Sequence, residues 1–193
     1  MKSIILSCTP TECEKIVNGD MSILVRKKVP NESNLPIKAY IYETKGATET
    51  PWVDEDGHYI YKGKGQVIGE FVCNEVEEFH EWELSPQGKF ADFERERLEN
   101  FLTAACLSEE EVVRYRENLP YFKPLYGLHI SDLKIYDEPK ALSCFYKQCP
   151  KNTTCSTCDW LHVDWHTFGE CSNTVTRPPQ NYIYVEEQEN SNE

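Results

Sequence analysis

Apolar and polar residues alternate along segments 22–29 and 37–43, and this period of two is typical of β-strands. In the first segment Arg26 and Lys28 have the same parity, so we expect both on one face. Segment 66–73 has the β-branched and aromatic content of a buried strand. A last pair of strands is indicated at 128–136 and 181–185.

Helical patterns separate these strands. Thr9 and Glu12 have the spacing of a capping box and predict a short helix that ends at Gly19. Apolar residues recur at helical spacing over 90–106, and a second capping box predicts another helix over 108–118. Strands, then helices, then strands predict an α+β fold, in which about six short strands would form a small barrel closed by helices.

Charge is unevenly distributed along the 193 residues, whose net charge is -13. Such a charge argues against a broad phosphate-binding surface, which would be basic. Acidic residues concentrate in 70–83 and in the tail 188–193, for which we predict disorder. They form either a solvated surface or an acidic decoy that mimics nucleic acid. One basic island lies near the N-terminus, at residues 26–28 with Lys38 and Lys45.

The N-terminal apolar run, residues 4–6, is too short for the core of a signal peptide, and no later run approaches the length of a membrane span. We therefore expect a cytoplasmic protein without membrane contact. The nine cysteines cannot all pair internally, because their number is odd. In a reducing compartment, clustered cysteines are more typical of a metal site than of disulfides.

The cysteine cluster in the last third of the chain has the spacing of a zinc site. Cys155 and Cys158 form a Cys-x2-Cys half-site, Cys149 and Cys171 would complete four thiolates, and His162 is an alternative ligand. Four protein ligands leave no open position for a substrate, so we predict a structural zinc ion. A redox-active Cys155–Cys158 pair and unligated thiols are the alternatives.

Several segments occur in the order and spacing of one known family: a helix ending at Gly19, a strand through Arg26, and segments 39–45, 65–71, 126–139 and 177–187. They resemble the ASCH family, within the PUA-like superfold, and most of all a branch found in phages and gut Firmicutes. The resemblance implies one domain over 1–187, a PUA-like small β-barrel with flanking helices. The Cys-rich segment 144–174 would then be a metal-binding insertion between the last two strands.

The resemblance implies a cleft for RNA or a nucleotide-sized ligand. The family motif is roughly Gly-x-Lys-x-x-Glu-x-Arg, and a branch of the family resembles amide hydrolases that act on acylated cytidine. This chain matches the motif at Gly19 and Arg26, but Met21 and Leu24 occupy the Lys and Glu positions. Neither side chain can transfer a proton or act as a nucleophile, so hydrolysis by that route is not expected.

The candidate ligand-binding residues are Arg26, Lys45, Tyr42 and Arg177. Arg26 could present a planar fork of donors to a phosphate or a base edge, or it could be an ion-paired strand residue. Tyr42 could stack on a base, although aromatic residues in strands usually pack. We expect a non-catalytic module that binds RNA or a nucleotide. The alternatives are an ASCH-type nucleoside amide hydrolase or ribonuclease, and an acidic phage-type regulator that binds a host protein.

Overall fold

Two β-sheets and three helices form the framework of the part of the chain that the computed structural model describes, residues 1–46, 63–80, 92–117, 119–120, 123–147 and 174–187. In chain order the elements are β1 (Lys2–Cys8), α1 (Pro10–Val17), β2 (Ile23–Arg26), β3 (Ile37–Glu43), β4 (Val67–Cys73), β5 (Val76–Phe79), α2 (Asp92–Ala105), α3 (Glu109–Arg116), β6 (Leu125–His129), β7 (Ser131–Lys140), β8 (Phe145–Lys147) and β9 (Tyr182–Glu187).

The larger sheet has six strands in the order β7-β4-β3-β1-β9-β8. Its inner strand β1 was not predicted from the sequence, and it pairs in parallel with β3 and antiparallel with β9. Ile4, Ile5 and Leu6 are all fully buried, because both faces of this strand are covered. A strand buried on both faces reads as a continuous apolar run rather than as an alternation.

The smaller sheet has three strands in the order β2-β6-β5. The predicted strand over 128–136 is in fact two strands, because the chain leaves the small sheet after His129 and enters the large one at Ser131. Between them, the N–H of Ile130 donates to the carbonyl of Ser22. The α+β class is confirmed, but the predicted small barrel is wrong for the described residues, whose strands form a six-stranded and a three-stranded sheet and no closed barrel.

The two faces of the large sheet pack into different apolar clusters. Ala39 and Ile41 contribute to a cluster that includes Cys13 and Ile16 of α1. Tyr40, on the opposite face, belongs to a cluster with Phe145, with their ring centroids 4.7 Å apart. The predicted alternation along β3 therefore separates two cores.

A third cluster joins α2 to the small sheet. Phe79 of β5 and Phe101 of α2 stack with ring centroids 5.0 Å apart, beside Ile23 and Val25. Phe101 also lies directly over Gly127, where an added Cβ would be 2.6 Å from the ring. The absence of a side chain at Gly127 therefore lets α2 approach β6 closely.

Both predicted capping boxes are present, at Thr9 with Glu12 and at Ser108 with Glu111. In the part of the chain that the structure describes, no helix is both long and apolar enough to cross a membrane. Only residues 144–147 and 174 of the predicted insertion are described, and the predicted tail 188–193 lies outside the described residues.

Candidate ligand-binding site

Arg26, the first predicted ligand residue, points into the protein from the end of β2 and is 6% exposed. Its Nη1 donates to Glu12 Oε1 and to the carbonyl of Val25, each at 2.7 Å. Its Nη2 donates to the carbonyl of Ser7 at 2.8 Å and to Cys8 Sγ at 3.3 Å. Burial lowers the pKa of Arg26, but the contacts with Cys8 and Glu12 outweigh burial and raise it, so the guanidinium remains charged.

Through these contacts, Arg26 connects three elements of the fold. It joins β2 to the end of β1 through Ser7 and to α1 through Glu12. In this arrangement both terminal nitrogens of the guanidinium are occupied by protein atoms. The geometry is that of the ion-paired strand residue, the alternative interpretation of Arg26.

The other three predicted ligand residues lie in separate environments. Tyr42 is buried in the cluster around Phe145. Lys45 is exposed just beyond β3, and its stem lies so close to Gly65 that an added Cβ would be 2.5 Å from Lys45 Cε. Arg177 is exposed in the segment that leads to β9. None of these residues lines the cavity that begins after Arg26.

Met21 and Leu24, at the motif positions, belong to the core. Both pack in the apolar cluster between α1 and the large sheet, where Leu24 is fully buried. Their side chains therefore contribute to packing at places where the ASCH motif has ionisable groups.

A cavity of about 600 Å³ begins immediately after Arg26, and we call it the basic cavity. Three lysines and two tyrosines line it together with two acidic residues: Lys27, Lys28, Lys123, Tyr126, Tyr182, Glu32 and Glu78. The lysines come from the loop after β2 and from the segment before β6, whereas the tyrosines come from β6 and β9. Three distant parts of the chain thus form one pocket with positive and aromatic groups.

Several of these side chains are held by neighbours. Lys27 Nζ lies 4.8 Å from the ring centroid of Tyr115 and 3.4 Å from the carbonyl oxygen of Glu117. The ring of Tyr182 meets that of Tyr184 edge-on at 5.7 Å. Burial, followed by the charges of Glu78 and Glu32, raises the pKa of Tyr126, so its hydroxyl remains a hydrogen-bond donor at neutral pH.

The sequence identified only part of this cavity. Lys27 and Lys28 belong to the predicted basic island, but Lys123, Tyr126 and Tyr182 were not singled out, because they meet the island only in the fold. The expectation that Lys28 shares a strand face with Arg26 was wrong. Strand β2 ends at Arg26, so strand parity does not extend to Lys28.

The predicted zinc ligands Cys149, Cys155, Cys158 and Cys171, with His162 as the alternative, lie outside the described residues. Among the residues that are described, no group of three or more His, Cys, Asp or Glu side chains is placed to hold a metal ion. The cysteines in this part of the chain are free: Cys8, Cys13, Cys73, Cys106 and Cys144.

Comparison with known proteins gives a structural likeness only. No family model matches the chain, and no curated protein matches it. Among solved structures, the ASCH protein from Zymomonas mobilis is 16% identical, with a TM-score of 0.53 over 96% of this chain and 88% of that chain.

Two variants of that protein give similar values. A tyrosine-to-phenylalanine variant has a TM-score of 0.54 at 15% identity, over 97% of this chain and 93% of that chain. A serine-to-alanine variant has a TM-score of 0.52 at 16% identity, over 97% and 90%. At these identities the likeness shows the fold alone, and it confirms the expected ASCH-like fold.

Proposed function

We propose, starting from this ASCH-like fold, that the protein is a binding module for RNA or a nucleotide and that its ligand occupies the basic cavity. One observation carries the proposal. Three lysines and two tyrosines meet in a single cavity of about 600 Å³, on a chain whose net charge is -13.

Electrostatics favours an anion at this place. Most of the surface of so acidic a protein repels phosphate, so a local group of lysines concentrates the attraction in one pocket. Lys28 and Lys123 are exposed at the cavity and can contact phosphate oxygens as point charges. Because only a few phosphates can be neutralised there, the dependence of binding on salt should be shallow, with a logarithmic slope of about -2 for single-stranded RNA.

The aromatic side of the cavity suits a base. Tyr126 and Tyr182 both line the cavity and are half-buried, so part of each ring is accessible from the cavity. Stacking of a base on such a ring tolerates any sequence. The cavity volume lies within the range of pockets that bind small molecules, so it fits one or two nucleotides rather than a duplex.

Binding without hydrolysis is the activity that we propose. Met21 and Leu24 are apolar and packed in the core, so they supply neither an acid nor a base. Zinc, if it is bound by the Cys-rich segment, would have a structural role in this proposal.

Binding can be tested on the full chain with two probes, a fluorescent single-stranded RNA of mixed sequence and the four nucleoside 5′-monophosphates. We expect saturable binding of at least one probe, with affinity that falls as salt rises, and an unchanged probe after incubation. The absence of binding to both, at low salt, would overturn the proposed function. Cleavage of the RNA would instead support the ribonuclease alternative.

A further inference from the structure

A second cavity, of about 360 Å³, lies between α1, β4 and β7 and shares no lining residue with the basic cavity. We call it the Glu43 cavity. Its apolar walls are formed by Pro10, Val17, Ile68, Ile135 and Pro139. Val17 is 47% exposed and Ile135 is 38% exposed, so two large apolar side chains that line the same cavity are open to water.

Glu43 is the most buried of the acidic residues that line this cavity and is 5% exposed. Its Oε2 accepts the backbone N–H of Lys64 at 2.8 Å. Within the described part of the chain, no hydrogen bond reaches Oε1. Oε1 is not among the buried polar atoms that lack a partner in the described residues, so it is open to the cavity, where a ligand can replace water as its donor.

The backbone around Gly63 lies close to this carboxylate. Glu43 ends β3, and a Cβ added at Gly63 would lie 3.0 Å from Glu43 Cγ and 1.8 Å from the carbonyl oxygen of Thr44. The backbone at Gly63 therefore passes close to the stem of Glu43. The hydrogen bond from the N–H of Lys64 orients the carboxylate, which reduces the rotamer freedom to be lost on binding.

The remaining polar groups give the cavity a negative potential. Glu14 and Asp137 are exposed at its rim, and among the described residues Lys64 is the one basic residue in its lining. Cys13 also faces it, where hydrogen bonding with Cys8, burial and the charge of Glu43 all raise the pKa of the Cys13 thiol. Cys13 therefore stays neutral and adds no charge to the cavity.

We propose that the Glu43 cavity binds an organic cation that has an apolar or aromatic body and a planar pair of N–H donors, such as an amidinium or a guanidinium. The planar donor pair matches the geometry of a carboxylate and satisfies the free oxygen of Glu43. The body of the ligand covers Val17, Ile68 and Ile135, which otherwise remain open to water. This site is separate from the proposed RNA site and does not depend on it.

The probe is benzamidine, and benzamide is the matched control because it has the same shape without the charge. On the full chain we expect benzamidine to raise the unfolding temperature and to give saturable calorimetric binding, whereas benzamide does neither. In Glu43→Gln, which keeps an acceptor for the N–H of Lys64, the affinity for benzamidine should fall about tenfold or more. Lys28→Ala, at the other cavity, should leave it unchanged.

Two outcomes would overturn this proposal: equal binding of benzamide and benzamidine, or undiminished binding of benzamidine by Glu43→Gln. If Glu43→Gln does not fold, the methyl resonances of Val17, Ile68 and Ile135 in the unchanged protein provide the test. We expect benzamidine to shift all three and benzamide to shift none. Methyl resonances that do not respond to benzamidine would also contradict the site.

Discussion

Glu12 and Arg26 form an ion pair in which the two carboxylate oxygens of Glu12 have different partners. Oε1 accepts Arg26 Nη1 at 2.7 Å, while Oε2 accepts the backbone N–H of Thr9 at 2.7 Å. One carboxylate therefore closes the capping box of α1 and fastens that helix to β2. The motif arginine is placed by this pair inside the protein.

This geometry predicts that Arg26 stabilises the fold rather than holding a ligand. Arg26→Ala leaves Glu12 Oε1 and the carbonyl of Ser7 without the donor that Arg26 supplies, so the free energy of unfolding should fall by about 3 kcal/mol. We take the low end of the range for buried pairs because the side chain of Glu12 is 27% exposed. Denaturant titration of the purified variant measures the loss.

The matched control is Arg95→Ala, which removes an exposed arginine paired with Glu99 at 3.4 Å. Its effect on stability should be below about 0.5 kcal/mol. If Arg26→Ala were as stable as the unchanged protein and lost RNA binding, Arg26 would be a ligand residue after all.

The absence of a side chain at Gly127 allows α2 to approach β6 closely, so a larger residue there should destabilise the fold. An added Cβ would lie 2.6 Å from Phe101 Cε2 and 2.7 Å from Ile23 Cγ2, both in the cluster that joins α2 to the small sheet. Gly127→Ala should therefore lower the free energy of unfolding by about 1–3 kcal/mol. Thermal unfolding measures the effect, with Val113→Ala on the exposed side of α3 as the control. Equal stability of the two variants would contradict the packing described here.

Glu70 makes one component of stability dependent on pH. Burial raises its pKa, but the hydrogen bond from Tyr136 and the contacts with Lys38 outweigh burial and lower the pKa below the ordinary value of 4.5. A lowered pKa in the folded state means that the stabilisation is present above the ordinary pKa and is lost as the pH falls through the folded value.

Tyr136→Phe removes the hydrogen bond to Glu70 and so tests this dependence. We expect the variant to be less stable by about 1 kcal/mol at neutral pH, and the difference to shrink as the pH falls below 4.5. Urea titrations at neutral and acidic pH give the two differences. A difference that is the same at both pH values would show that the hydroxyl acts through something other than the Glu70 carboxylate.

The Cys-rich segment carries a prediction from spacing alone. Protein purified without chelator should contain about one equivalent of zinc, which a strong chelator removes with exposure of the thiols of Cys149, Cys155, Cys158 and Cys171. Metal analysis with a thiol-reactivity assay measures both. Zinc below about half an equivalent, with fully reactive thiols from the start, would contradict a structural site.

Local signals allowed the helices and β3 to be predicted. The capping boxes at Thr9 and Ser108 act within one turn, and the alternation along β3 follows from a strand that separates two cores. Strand β1 was missed because burial on both faces removes the alternation. The change from β6 to β7 was missed because it depends on pairing with β5 and β4, which are distant in sequence.

The candidate site was predicted less well, for a related reason. Motif position favoured Arg26, but its burial and its pairing with Glu12 follow from how α1 packs on β2. The basic cavity joins Lys28, Lys123 and Tyr182, and no local pattern relates residues so far apart in the chain. Composition indicated one basic island, and the fold showed which of its lysines face a cavity.

The most direct test of the proposed function compares two double variants that remove the same charge. Lys28→Ala with Lys123→Ala changes the basic cavity, whereas Lys134→Ala with Lys147→Ala removes exposed lysines from β7 and β8. We expect the first double variant to weaken binding of single-stranded RNA about tenfold. It should also reduce the magnitude of the logarithmic slope of affinity against salt concentration by about 1–2. The second should bind like the unchanged protein. Equal weakening by both variants, or by neither, would contradict the assignment of the ligand to the basic cavity.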